Sequence, residues 1–144
     1  MDSLIIGAIF GSVVALVLYM YGSNRDAATA VASKPPEVVS FTTTMLKADV
    51  FRAVILFAQM SELNAESMDE TQGKIILGAD MNMMKNHNGY WLAVYISENS
   101  TGATVVEVGI QSKAFQAGWV LRPIRDKALN NIKAAVIAQG GRVA

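Results

Sequence analysis

The 144-residue chain contains no cysteine and only one histidine, His87. The lack of cysteine excludes a disulfide framework, a thiolate nucleophile, an iron–sulfur cluster and a cysteine-ligated zinc site. A single histidine argues against a histidine-based metal site or a Ser–His–Asp triad. His87 lies in a polar run before Asn88-Gly89, so we expect a solvated turn residue. The sequence also lacks paired catalytic acids, a phosphate-binding glycine loop and EF-hand spacing. We therefore expect no enzyme activity, no cofactor and no metal.

The chain also has no excess of positive or negative charge, because 12 Lys and Arg residues balance 12 Asp and Glu residues. A general nucleic-acid binder needs a basic excess, so nucleic acid is not an expected partner. Apolar residues make up 52% of the chain, too many for a disordered protein. The cations gather late in the chain, at Lys113, Arg122, Arg125, Lys127, Lys133 and Arg142. They could contact anionic lipid headgroups, but we favour a solvated helix face that offsets an acidic sheet.

One long stretch near the amino end has no charge. Leu4 to Tyr21 contains no Asp, Glu, Lys, Arg, Asn, Gln or Pro. As a helix it would span about 27 Å, close to the roughly 30 Å of a hydrocarbon core. We predict that residues 1–22 form a single transmembrane anchor helix. Gly7 and Gly11 form a GxxxG spacing, which could pack against a membrane-protein partner or a second copy.

The cations around this stretch predict its orientation. Arg25 and Lys34 follow the stretch and no Lys or Arg precedes it, so the positive-inside rule places the later residues in the cytoplasm. The alternative is an exported or periplasmic domain with a structural or assembly role. Ala30 to Ser33 resembles a signal-peptide cleavage site, but the first three residues carry no Lys or Arg. We therefore expect an uncleaved anchor.

Residues 23–36 are small and polar and end in Pro35-Pro36, which predicts a flexible linker. Residues 37–144 should form a soluble α+β domain. Glu37 to Met45 alternates β-branched and apolar residues and predicts a strand. Asp49 to Met60 carries one broad apolar stripe and predicts a helix.

Four more strands and a terminal helix follow. Alternating segments predict strands over Leu63–Met68, Lys74–Met84, Tyr90–Ser97 and Ala103–Ser112. Asn88-Gly89 predicts a type I′ hairpin turn. Short turns require antiparallel pairing, so we expect a meander of four strands with the first strand at one edge, about five in all. A long helix should run from Pro123 to Ala138, end at Gly140-Gly141, and pack on the sheet.

The order strand, helix, four-strand meander, long helix resembles the helix-grip architecture of Bet v 1 and START-like domains. The resemblance covers Glu37 to Ala138 and rests on element order. It implies a curved antiparallel sheet around the C-terminal helix, and the larger members enclose a deep apolar cavity. No catalytic residue carries over from these families.

Arg125 falls inside the apolar sector of the terminal helix. A buried guanidinium needs a partner, for which Glu107 and Asp80 are candidates. Arg125 could bind an acidic ligand group, or even serve a small enzyme together with Glu107. We favour a structural ion pair or a side chain that reaches the rim.

Four other residues are candidates for binding. Met81 and Met83 share one face of a predicted strand, where methionines suit adaptable apolar surfaces, although ordinary core filling is the interpretation we favour. Phe115 and Trp119 precede the terminal helix. They could line a cavity mouth or contact a partner, but a single helical turn would bury both, which we favour.

The function expected from these patterns is a single-pass, membrane-anchored, non-catalytic module. It would bind a partner protein or an apolar, lipid-like ligand at the membrane surface, with membrane lipid as a further partner. A ligand-binding module should enclose a cavity lined by methionines and aromatics. A partner-binding module should have a filled core and an exposed apolar patch.

Overall fold

The computed structural model describes residues 31, 34–80, 82, 84, 87–114 and 117–144. The predicted anchor helix with Gly7 and Gly11 lies outside these residues, as do Met81, Met83 and Phe115. Within the described part of the chain, no helix is both long enough and apolar enough to cross a bilayer.

The described residues form an α+β fold. Its elements are β1 (Val39–Thr43), α1 (Lys47–Met60), β2 (Asn64–Asp69), β3 (Lys74–Ala79), β4 (Tyr90–Glu98), β5 (Thr104–Ser112) and α2 (Gly118–Ala138). The strands form one antiparallel sheet in the order β1-β5-β4-β3-β2. The predicted class, the four-strand meander and the edge position of the first strand are confirmed.

The sheet has two different faces because successive side chains of a strand point to opposite sides. We call the side covered by both helices the inner face. Five of its residues on β4 and β5 are fully or almost fully buried: Leu92, Val94, Ile96, Val106 and Val108. The residues between them form the outer face, which carries Trp91, Ala93, Tyr95 and Glu107.

Both helices cover the inner face with one apolar stripe each. The α2 stripe recurs every three or four residues, at Leu121, Arg125, Ala128, Ile132 and Val136. Helix α2 contacts β5 and β1, whereas α1 contacts β4 and β2. Val50 and Val54 of α1 and Ile132 and Val136 of α2 are all completely buried. These side chains belong to one core cluster with the inner-face residues of the sheet.

Strands β3 and β4 pair antiparallel as predicted, but the predicted type I′ turn between them is wrong. Strand β3 ends at Ala79 instead of Met84, so the connection runs over residues 80–89. Of the Asn88-Gly89 pair only Gly89 has a positive φ, 86°, whereas a type I′ turn requires two such residues. The connection is closed instead by two backbone hydrogen bonds between Asn82 and His87, with N···O distances of 3.0 and 3.2 Å.

His87 is buried, with 7% exposed, so the solvated-turn prediction is wrong. Its Nδ1 accepts a hydrogen bond from the Gly89 N–H at 3.2 Å. Its ring meets the Tyr90 ring edge-on at 5.0 Å. His87 therefore packs the base of the β3–β4 connection against the sheet.

Helix α2 begins at Gly118, five residues before the predicted start at Pro123. Proline has no N–H, so the Trp119 carbonyl loses its usual helical partner, yet the helix continues through Pro123. The predicted stop is confirmed, since Gly140 has φ 93° and the Gly141 N–H bonds the Val136 carbonyl at 3.0 Å.

Residues after α2 cover part of the β1 edge. Val143 forms an antiparallel bridge with Thr43. The Ala144 N–H donates to the Thr42 carbonyl at 2.9 Å, and the Thr44 N–H donates to the Arg142 carbonyl at 3.1 Å. These bonds satisfy backbone groups that an open edge strand would present to other chains.

Candidate functional site

A short stretch before β1 lies against the outer face. We call Val31 and residues 34–36 the docked segment. Val31 is completely buried against Ile76 and Ala93. The Val31 carbonyl accepts a hydrogen bond from the Lys74 Nζ at 2.9 Å. The chain that follows the uncharged stretch is therefore attached to the sheet within the range predicted to be a linker.

Pro35 of the docked segment fits over a glycine of β5. A Cβ built on Gly109 would lie 3.1 Å from the Pro35 Cβ and Cγ and 3.2 Å from the Val38 Cγ1. These distances are shorter than ordinary carbon contacts. Gly109 thus leaves the room that allows the docked segment to approach the sheet closely.

Lys34 holds the docked segment to the sheet through charge. Its Nζ lies 2.9 Å from the Glu107 Oε1 and 5.0 Å from the centre of the Tyr95 ring. The Lys74 Nζ lies 5.9 Å from the same ring. The Lys34–Glu107 pair is partly exposed, so we expect it to contribute less than about 1 kcal/mol. The close packing of Val31 and Pro35 then carries most of the attachment.

The Tyr95 hydroxyl is buried beneath these cations. Its Oη has no hydrogen-bond partner within the described residues. Burial raises the pKa of Tyr95 above its usual 10.0, and the negative charge of Glu107 raises it further. The side chain therefore stays neutral and acts as a packing surface.

A second charged cluster lies on the outer face beside the first. The Trp91 Nε1 donates to the Glu66 Oε2 at 2.5 Å, and the Lys113 Nζ lies 3.1 Å from the Glu66 Oε1. Lys113 also pairs with Asp80 at 3.4 Å and lies 5.6 Å from the centre of the Trp91 ring. The Glu66 carboxylate occupies the space that a Cβ on Gly78 would need. This cluster is a satisfied network within the fold.

Arg125 is buried, as the helical pattern predicted, with 9% exposed. Its Nη1 donates to the Glu37 carbonyl at 2.6 Å, and its Nη2 lies 2.9 Å from the Asp126 Oδ1. The predicted partners Glu107 and Asp80 are wrong, because they pair with Lys34 and Lys113. Glu107 belongs to the outer face and α2 covers the inner face, so the sheet separates Arg125 from Glu107.

Two arginines of α2 fasten the start of β1. The Arg122 Nε lies 3.3 Å from the Glu37 Oε2, and Arg125 holds the carbonyl of the same residue. Glu37 has φ 60°, a left-handed conformation that non-glycine residues rarely adopt. The hydrogen bonds from α2 compensate for this strain. The junction between the docked segment and β1 is thus fixed to the helix.

Trp119 lies in the first turn of α2 and is 71% exposed, so the predicted burial is wrong. Met60 and Met84 are 86% and 98% exposed. Chain direction places all three at the same end of the sheet, where α1 ends, β3 connects to β4 and α2 begins. We call Met60, Met84 and Trp119 the apolar end. Leu46 and Ile137, 71% and 55% exposed, lie toward the opposite end.

The sequence carried one unused signal for the docked segment. In β4 the alternate residues Trp91, Ala93 and Tyr95 are as apolar as the inner-face residues, which is typical of a strand covered on both faces. Nothing in the small, polar stretch around Val31 marks it as the covering segment. Within the described ranges, no group of three or more His, Cys, Asp and Glu side chains could hold a metal ion.

Neither a scan against protein-family models nor a search of curated proteins found a match to this chain.

Proposed function

We propose that the protein is a single-pass, membrane-anchored, non-catalytic binding module whose α+β domain works at the membrane surface. The observation that carries this proposal is the uncharged stretch from Leu4 to Tyr21, which is long enough to span a hydrocarbon core. The N-terminus would lie outside and the domain in the cytoplasm, following the cations Arg25 and Lys34.

The docked segment supports an anchor that is not cleaved. Cleavage between Ala32 and Ser33 would separate the completely buried Val31 from the rest of the domain. Ile76, Ala93 and the neighbouring aromatics would then lose that apolar contact. An intact chain keeps both the anchor and the outer-face packing.

The exposed apolar side chains support a contact surface on the outside of the domain. Val54 of α1 and Ile132 of α2 are completely buried in the same core cluster as the inner-face residues. Trp119, in contrast, is largely exposed at the apolar end. Exposed apolar side chains are the pattern expected of a module that contacts a membrane surface or a partner protein. Arg125 donates to groups of its own fold, which argues against the enzyme alternative.

A single introduced cysteine tests the topology, because the chain has none of its own. Ser100 lies exposed in the turn between β4 and β5, so Ser100→Cys gives one accessible thiol. In intact cells a membrane-impermeant maleimide should leave the thiol unlabelled, and permeabilised cells should give full labelling. Labelling of intact cells would favour the exported alternative.

The mass of the same membrane-bound protein tests the anchor. We expect the full chain of 15.4 kDa. A product that starts at Ser33 would contradict the anchor and identify the stretch as a cleaved signal peptide.

A further inference from the structure

We propose that the apolar end of the domain, formed by Met60, Met84 and Trp119, inserts into the lipid interface of the bilayer that holds the anchor. The inference rests on the proposed anchor and goes further, because it assigns a lipid-contacting surface to the folded domain. It also fixes how the domain is oriented on the membrane.

The side chains at this end have the chemistry of an interfacial contact. Each is presented by a different segment and points away from the core, with 71% to 98% of its surface exposed. An indole has an apolar body and a polar N–H, which is why tryptophan gathers at the headgroup level. Methionine is flexible and apolar and adapts to disordered surroundings. Three separate apolar tips suit a fluid interface better than a shaped protein groove.

The length of chain before the described domain brings the bilayer within reach. The apolar stretch ends at Tyr21 and Val31 is fixed on the sheet, so residues 22–30 connect the two. Nine residues span about 30 Å when fully extended. A domain of this size is about as wide, so its surface stays next to the bilayer at high effective concentration.

The charges nearby argue that the contact is apolar and not electrostatic. Arg122 is paired with Glu37, and Lys113 with Glu66 and Asp80. These ion pairs reduce the charge that the two cations offer to anionic headgroups. We therefore expect insertion into zwitterionic lipid without any need for anionic lipid.

The two tryptophans of the chain allow a direct test. Trp91→Phe leaves Trp119 as the only indole, and Trp119→Phe leaves Trp91, which lies on the outer face. Each full-length variant is reconstituted into phosphatidylcholine vesicles with and without bromine on the acyl chains, and floated to confirm association. Bromine quenches indoles that enter the bilayer. We expect a strong loss of Trp119 emission and none for Trp91.

A probe at the other end of the domain is the matched control. Leu46 is exposed to the same 71% as Trp119, so Leu46→Trp in a chain without the two native tryptophans places an equally exposed indole there. This indole should keep its emission in brominated vesicles. Should Trp91→Phe disturb the fold, fluorotryptophan in the unaltered chain gives a separate NMR signal for each indole, and bromolipid should broaden only that of Trp119.

The outcomes separate this proposal from the anchor. Vesicles that float with the protein while acrylamide, but not bromolipid, quenches Trp119 would overturn insertion and leave the anchor intact. Protection of Trp119 from both quenchers would also overturn insertion, and would indicate that protein covers the apolar end. Failure to float would overturn the anchor and the insertion together.

Discussion

The docked segment makes a prediction that separates a folded attachment from a flexible linker. Val31→Ala removes two methyl groups from a completely buried side chain. At about 0.8 kcal/mol for each buried carbon, the transfer term is about 1.6 kcal/mol, and the remaining void raises the total to about 2 kcal/mol. For a domain of this size that loss corresponds to a fall in Tm of about 8 °C.

The assay is thermal unfolding of the full chain in detergent, followed by circular dichroism. Val105→Ala, at a half-buried position of β5, is the matched control. It should lower the free energy of unfolding by less than about 1 kcal/mol. Substitutions in a flexible linker change stability by no more than about 0.5 kcal/mol. A Tm for Val31→Ala within about 2 °C of the native value would therefore refute the attachment, and so would a larger effect for Val105→Ala.

Three other substitutions test the contacts around the outer face and α2. Arg125→Ala should lower the free energy of unfolding, measured in urea, by about 2 kcal/mol, because it removes charged hydrogen bonds. The exposed control Lys127→Ala should change it by no more than about 0.5 kcal/mol. Equal effects of the two substitutions would contradict a stabilising role for the buried Arg125. Tyr95→Phe removes a buried hydroxyl that has no hydrogen-bond partner within the described residues. It should raise the free energy of unfolding by about 1 kcal/mol. Because the pKa of Tyr95 is raised, the folded state keeps the tyrosine proton to higher pH than the unfolded state does. The free energy of unfolding should therefore fall as pH rises above 10.0, and it should fall less steeply in Tyr95→Phe. Identical pH profiles of the two proteins would contradict this reasoning. Gly109→Ala presses a methyl group on Pro35 and should lower stability by about 1 kcal/mol, so an unchanged or higher Tm would show that the contact is loose.

The strands and helices were largely predictable because most of them carry a clear apolar pattern. The alternation in β5 and the stripe through Ile132 and Val136 followed directly from burial of one face. Short connections then required an antiparallel meander. The sequence therefore predicted class, element order and the edge position of β1.

The errors occurred where tertiary contacts override a local pattern. Gly89 has the backbone conformation of a turn residue, but the β3–β4 connection is longer because His87 packs on Tyr90 and pairs with Asn82. Helix α2 passes through Pro123, which sequence rules place at a helix start. Patterns within a short stretch of sequence do not predict such long-range contacts.

The partners of Arg125 were missed for a related reason. Its place in the apolar stripe predicted burial, but the acceptor is the backbone carbonyl of Glu37, which no side-chain pattern can identify. Helical spacing also predicted burial of Trp119, which lies before the first residue of the buried α2 stripe, Leu121, and points outward. The docked segment was not expected because nothing in the residues around Val31 distinguishes them from a spacer.

Carbonate extraction of membranes that contain the full chain tests the central proposal most directly. An alkaline wash removes proteins held at the surface and leaves those with a segment in the bilayer. A transmembrane helix over residues 1–22 predicts that the protein stays in the pellet after high salt and carbonate. Full release into the supernatant as an intact, folded chain would contradict the anchor.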